Sequence, residues 1–304
     1  MSSLIRCDNL SKSFAHKRVL QNVSFECQAG DPIALVGPNG AGKTTLLSIL
    51  CNYFSASSGT VSILGHAPGS PNLFSQVAAL PQDALFDPAF TVLRQLVFYA
   101  RLQGFNGQQA KAESLRVLAL IDLTDSAHAY PTALSHGMRK RAAIAQALIG
   151  SPKLVLLDEP SAGLDPSNAK NIRQQISKLS GETTFLISSH NIQELEQLCD
   201  TVLHLEHGQL KQTLQHKGRQ SVAGKDSFLT IQVEDVAKQA FIEHISQMAA
   251  VTAVRCDQKN EFVISYDAHL SPDLDQQLLH RLAERSWHYR RLIKGKTLED
   301  RLFA

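Results

Sequence analysis

Short apolar runs of strand length alternate with stretches of helical period over the first two-thirds of the chain. Pro32-Ile33-Ala34-Leu35-Val36 is one such run, and Leu46-Leu47-Ser48-Ile49-Leu50 behind it spaces its apolar residues as a helix does. Leu154-Val155-Leu156-Leu157 is apolar without a break, the pattern of a strand buried on both faces at the centre of a parallel sheet. Thr184 to Ser188 predicts another strand, with Ser189-His190 at its end and a helix from Asn191 onward. Val77 to Leu80 is a short strand closed by Pro81-Gln82, and Thr60 to Leu64 is one that ends at Gly65. Leu4 to Gln28 predicts short strands broken by the polar turn Ala15-His16-Lys17-Arg18. Val202 to Gln212 predicts a hairpin turning at His207-Gly208.

Between Asp83 and Gly150 the pattern changes. Leu93, Leu96, Val97 and Ala100 recur at helical spacing, and so do Leu115, Leu118 and Ala119, which predicts a helical subdomain over about 84–150. His216 to Asp226 is polar and contains glycine, so it reads as a linker after a first domain of residues 1–215. Beyond it, Phe228 to Val233 and Glu261 to Tyr266 alternate like strands, with helical stretches around 235–248 and 273–285. The expectation is a small α+β domain over 227–304 with a dimer-stabilising or regulatory part, and without a chemical motif.

The totals change this picture little. A length of 304 residues fits two domains, and a hydrophobic content of 43% supports folded cores. A formal charge of +2 is too small to point to a nucleic-acid partner, and none is expected. The five cysteines are scattered without a C-x-x-C pair, as in a reduced cytosolic protein. His204 and His207 lie in the strand-and-turn stretch and read as a solvated hairpin rather than as zinc ligands. No run has the length of a secretory signal or of a membrane span, so a soluble chain is expected, with any membrane role coming through a partner.

Chemistry concentrates in Gly37-Pro38-Asn39-Gly40-Ala41-Gly42-Lys43-Thr44-Thr45, which fits the phosphate-cradling pattern G-x-x-x-x-G-K-[ST] between a strand and a helix. Glycines bring backbone N–H groups close to phosphate oxygens, and the helix start adds its positive dipole end. Lys43 is placed to reach the β- and γ-phosphates and the Thr44 hydroxyl to hold Mg²⁺. Asp158-Glu159 ends the apolar strand. Two adjacent carboxylates there are costly unless compensated. They read as a metal ligand, Asp158, and a residue that orients or deprotonates water, Glu159, or else as the N-cap acids of a following helix. His190 lies at the carboxyl edge of the same inferred sheet, where ligands bind. Phe14 has the spacing of an edge-strand aromatic and equally of a ring that stacks on a base.

Together these motifs resemble the ATP-binding subunit of ABC transporters over about residues 3–213. The resemblance implies an α/β fold: a P-loop NTPase core with a mainly parallel sheet, an N-terminal antiparallel β region and a helical subdomain. It makes residues 37–45 the Walker A loop, Leu154 to Glu159 the Walker B strand, and Gln82 the glutamine that touches Mg²⁺. Leu134-Ser135-His136-Gly137-Met138 stands where the family has LSGGQ, Ser161 to Asp165 resembles the D-loop, and His190 the switch histidine. Phe14 matches the adenine-stacking aromatic. The resemblance further implies that Ser135 and Gly137 of one subunit cover the γ-phosphate held by Lys43 of another. The expected cofactors are therefore ATP and Mg²⁺, and the expected partners a second nucleotide-binding subunit, as a homodimer, and a transmembrane permease.

His136 and Met138 depart from the family pattern. Methionine there, the extra C-terminal domain and the Gly295 to Asp300 tail are similar to the exporter branch. An imidazole at 136 either adds charge near phosphate at lower pH or points to solvent. Arg139, Lys140 and Arg141 load positive charge on a helix start, which suits a facing nucleotide or a merely solvated basic face. The implied function is ATP hydrolysis that drives a separate permease, on the inner face of the cell membrane. The alternative is an ABC ATPase acting on ribosomes or DNA. Such relatives usually carry two motif sets or a long coiled coil, which this sequence lacks.

Overall fold

The computed structural model describes residues 3–195, 198–199, 201–215, 227–234, 236–258 and 260–294. Both the 216–226 linker and the 295–300 tail fall outside them. The chain divides into two compact units, Met1–His216 and Lys217–Ala304.

The first unit opens with a hairpin of two long strands, β1 (Ile5–Phe14) and β2 (Lys17–Cys27). The turn takes only Ala15 and His16, so Lys17 and Arg18 belong to β2 rather than to the turn, and the strands are longer than expected. Then come β3 (Ile33–Val36), α1 (Lys43–Leu50), β4 (Ser58–Ile63) and β5 (Val77–Leu80). Three helices follow, α2 (Val92–Leu102), α3 (Gly107–Leu120) and α4 (His136–Ala147). The unit closes with β6 (Leu154–Leu157), α5 (Pro166–Leu179), β7 (Thr184–Ser189), α6 (Ile192–Leu195), β8 (Thr201–Glu206) and β9 (Gln209–Gln215).

Its main sheet has the order β5-β6-β7-β3-β8-β9, parallel except for the β8–β9 hairpin. A separate antiparallel sheet, β2-β1-β4, packs with it into one core through Leu20, Phe25, Leu35, Leu46, Leu186 and Leu205. Every residue of β3, β6 and β7 is buried, as the unbroken apolar runs of β3 and β6 require of strands covered on both faces; β7 buries Thr184, Ser188 and Ser189 as well. Because β3, β7 and β6 are neighbours, their carboxyl ends open at one place on the sheet edge.

Helix starts follow their side chains. Thr91 caps α2, Asn106 and Gln109 form a capping box on α3, Ser135 caps α4 and Asp165 caps α5. On α3 the buried face is Ala110, Ser114, Val117 and Leu118, so Ala119 points to solvent, contrary to the spacing read above.

The second unit is β10 (Ser227–Glu234), α7 (Lys238–Ile245), β11 (Val251–Gln258), β12 (Glu261–Tyr266), α8 (Leu274–Glu284) and β13 (His288–Lys294). The antiparallel order β11-β12-β10-β13 gives the β-α-β-β-α-β arrangement of ferredoxin-like domains. Its core stacks Phe241 on Phe262 at 4.1 Å between centroids, with Leu229, Ile264 and Leu278 around them. Periodicity missed β11 and β13.

Candidate functional site

The phosphate-loop residues lie where β3 runs out. Gly37 follows Val36 directly, and a Cβ there would lie 2.0 Å from the Leu205 carbonyl oxygen, so only glycine fits this close approach. Gly42 is the residue before α1, and Lys43 opens the helix. Although charged, Lys43 is 5% exposed. Its Nζ donates to the Gly37 carbonyl at 2.8 Å and the Pro38 carbonyl at 3.3 Å, and lies 3.5 Å from Glu159 Oε1. A buried ammonium is tolerable only with such partners.

Asp158 and Glu159 follow β6 without a gap, and beside it Ser188 and Ser189 end β7 with His190 directly after them. His190 Nδ1 lies 3.0 Å from Glu159 Oε2, so one carboxylate faces both Lys43 and His190. Glu159 adopts φ 45, a left-handed conformation that costs a residue with a Cβ about 1–2 kcal/mol. Asp158 is buried and accepts from the Ser188 hydroxyl at 2.5 Å, and the same hydroxyl accepts from the Glu159 N–H at 2.9 Å. Sequence reading passed over Ser188; the signal was its register, one step past the Leu157–Ile187 pair.

A cleft of about 820 Å³ opens here, lined among others by Asn39, Gly40, Thr44, Gln82 and Glu159 and by the cations Lys17 and Arg18. Phe14 does not line it. Its ring, 39% exposed, meets Phe54 edge-on at 5.3 Å between centroids, with Lys12 Nζ 4.8 Å from its centre.

Ser135, Gly137 and Asp165 come together as a second group. The Ser135 hydroxyl accepts from the Met138 N–H at 3.2 Å. Asp165 accepts from Ser167 and Asn168 N–H and from the Asn168 side chain at 2.6 Å. The Asn168 amide, then the helix-start N–H groups, hold the Asp165 carboxyl below its ordinary range. Gly137 packs on that Asn168, and His136 faces Gly163. Each cation of the basic triplet reaches a different backbone carbonyl, with Arg139 still exposed and Lys140 and Arg141 half-buried. Arg139 donates to the Leu134 carbonyl, Lys140 to that of Gln82 at 2.6 Å and Arg141 to that of Ile121. Desolvation pulls the Lys140 ammonium below its ordinary value. His204 also departs from expectation: it is buried in β8, and burial lowers its pKa, whereas His207 is exposed in the turn.

The family model for the ABC transporter matches residues 20–162. The Nod factor export ATP-binding protein I of Burkholderia orbicola (strain AU 1054) is 31% identical, the match covering 96% of this chain and 97% of that protein. The chain belongs to the ATP-binding proteins of ABC transporters. The linearmycin resistance ATP-binding protein LnrL of Bacillus subtilis (strain 168) is 27% identical over 98% of this chain and 96% of its own length. Among solved structures, the dimeric ATP-binding cassette MJ0796 bound to ADP and Pi superposes with a TM-score of 0.63 at 24% identity, covering 70% of this chain and 99% of that one, and so shares the fold. This chain is thus a nucleotide-binding ATPase of a transporter. ABC proteins of this kind act with membrane permeases and associate in pairs. No helix among the described residues is long and apolar enough to cross a membrane.

Proposed function

We propose that this chain powers an exporter: two copies close on ATP, hydrolyse it and drive a separate permease from the inner face of the cell membrane. The observation that carries the export reading is the length of the match to the Nod factor export protein, which continues through the second unit. Residues 1–215 are the ATPase domain with 84–150 as its helical subdomain, and 227–304 is a dimer-stabilising or regulatory domain beyond the 216–226 linker.

Residues 37–45 cradle the phosphates and Lys43 contacts the β- and γ-phosphates; Phe14, which lies outside the cleft lining and against Phe54, has to turn its exposed ring from that contact to stack on the base. Glu159 takes the proton of the attacking water or orients it, with His190 as its partner at 3.0 Å. Ser135, Gly137 and Asp165 serve the nucleotide held by the other copy. The donor chemistry fits Mg²⁺. The described residues contain no group of three or more His, Cys, Asp or Glu side chains able to hold a metal. Asp158, Thr44 and Gln82 are hard oxygen donors of the kind that hold Mg²⁺ together with substrate phosphates rather than in a protein cage. Held by Asp158, Thr44 and Gln82, the ion would supply positive charge against the phosphate oxygens.

Affinity purification of the tagged chain from detergent-solubilised membranes of its own cells tests the proposal. A co-purifying permease supports it, and recovery of no membrane protein overturns it. Crosslinking of Glu159→Gln at saturating ATP tests the pairing: a chain that stays monomeric refutes the closed pair.

A further inference from the structure

We infer that Ser188 is a positioning residue of the hydrolytic site, one hydroxyl that sets both the Asp158 carboxylate and the Glu159 backbone. The inference rests on the reading of these two acids given above. Ser188 is fully buried and follows Ile187, which pairs with Leu157 across the parallel ladder of β6 and β7. The ladder therefore brings position 188 against the junction of Asp158 and Glu159. A hydroxyl offers one donor and two acceptor sites. Ser188 spends the donor on Asp158 Oδ1 at 2.5 Å and accepts the Glu159 N–H at 2.9 Å.

Both bonds answer a local need. Asp158 is a buried carboxylate at a strand end, where a donor to one oxygen restricts the turn of the group. Glu159 is held at φ 45, and its N–H is the amide that fixes that bend. A hydroxyl inside a strand that is buried throughout is itself costly unless paired, and these two bonds pair it. The neighbouring hydroxyl does other work: Ser189 Oγ donates to the Asn191 carbonyl at 3.1 Å. Ser188 thus presets the group assigned to Mg²⁺ and aims the group assigned to water, as outer residues do for metal ligands elsewhere.

The test compares wild type, Ser188→Ala, Ser188→Thr, Asp158→Asn and Thr183→Val in the full-length chain. Thr183 donates a buried hydroxyl bond to the Pro152 carbonyl at 2.8 Å, so its valine variant is a matched loss of one such bond away from the cleft. Calorimetric titration of ADP without metal reads the phosphate loop alone. Titration of the ADP complex with Mn²⁺, followed by electron paramagnetic resonance, reads the metal site without turnover.

Ser188→Ala is expected to bind metal-free ADP within about twofold of wild type and to raise the Mn²⁺ half-saturation by about 10–100-fold. Ser188→Thr restores it, and Thr183→Val lowers the melting temperature without moving it. Wild-type metal half-saturation in Ser188→Ala overturns the inference. So does an equal loss of metal-free ADP binding, or a threonine variant that melts like wild type yet binds metal like the alanine one. Should Ser188→Ala not fold, Ser188→Cys is read by the same criteria. A half-saturation that survives Asp158→Asn overturns the metal assignment itself, and this inference with it.

Discussion

Replacing Glu159 by glutamine keeps the shape of the side chain and removes its charge, which separates two roles in the structure. The carboxylate lies 3.5 Å from Lys43 Nζ and 3.0 Å from His190 Nδ1, and its side chain is 13% exposed. At an effective dielectric of ~20, the attraction to Lys43 is about 5 kcal/mol before desolvation of either ion is subtracted. Lys43 keeps its bonds to the Gly37 and Pro38 carbonyls in the variant. The net loss is therefore about 2 kcal/mol, the size of one hydrogen bond to a charged group. For a domain of this size that lowers the melting temperature by about 4–8 °C. Bound ATP reverses the sign, because the carboxylate faces phosphate charge and the amide does not. Turnover falls by about 10²–10⁴, the usual contribution of a positioned base. Phosphate release and thermal melts with and without ATP measure all three effects. A variant that folds and turns over within about twofold of wild type refutes the role of Glu159 in attacking-water chemistry. An unchanged nucleotide-free melt refutes the value given to the ion pair.

Gly137→Ala places a Cβ 2.4 Å from Asn168 Oδ1, so the variant loses about 1–3 kcal/mol in chemical denaturation, and Asn168→Ala in the same chain recovers most of it. Additive losses in that cycle would refute the contact. His204 has its pKa lowered from 6.5 by burial, so the unfolded chain binds the proton first. Its contribution is complete above about pH 6.5 and is lost as pH falls; denaturation midpoints of His204→Gln therefore decline less than wild type between pH 7.5 and 5.5, and parallel declines would refute it. Burial pushes the Cys7 and Cys27 thiols up to about 12, so a disulfide reagent at pH 8 labels them only after denaturant is added, and rapid labelling of either in the native chain refutes the assignment.

Legibility in the sequence followed how local each constraint is. The phosphate loop needs glycine, lysine and threonine at fixed offsets because one turn of backbone does the cradling, so Gly37 to Thr45 are readable without any partner strand. The apolar runs of β3 and β6 are readable for the same reason, since burial on both faces leaves them no polar position, and β7 keeps the apolar Phe185-Leu186-Ile187 at its centre. That rule also hid His204: β8 lies against β3, so a polar residue in its interior is enclosed rather than solvated. β13 was hidden by its composition, because His288, Tyr289 and Arg290 are exposed on a strand at the sheet edge and give no alternation. Ser188 matters through a neighbour some thirty positions earlier, which only the β6–β7 register brings to it.

The carbonyl bonds of the basic triplet bear on how the two groups of site residues work together. Lys140 on α4 donates to the carbonyl of Gln82, which itself lines the nucleotide cleft, while Gly137 at the start of α4 packs on the Asn168 that fixes Asp165. One helix therefore has partners in both places. A shift of the Gln82 backbone beyond the reach of the flexible Lys140 stem either breaks a charge-assisted bond, at about 1.5–3 kcal/mol, or carries α4 with it. Carrying α4 moves Ser135 and Gly137 relative to the parallel sheet. The helix is short, capped and buried along Ala142, Ala143, Ile144 and Ala145, so it moves as a body more cheaply than it bends. The carbonyls that Arg139, Lys140 and Arg141 reach offset part of the cost of positive charge at a helix start, which the dipole disfavours.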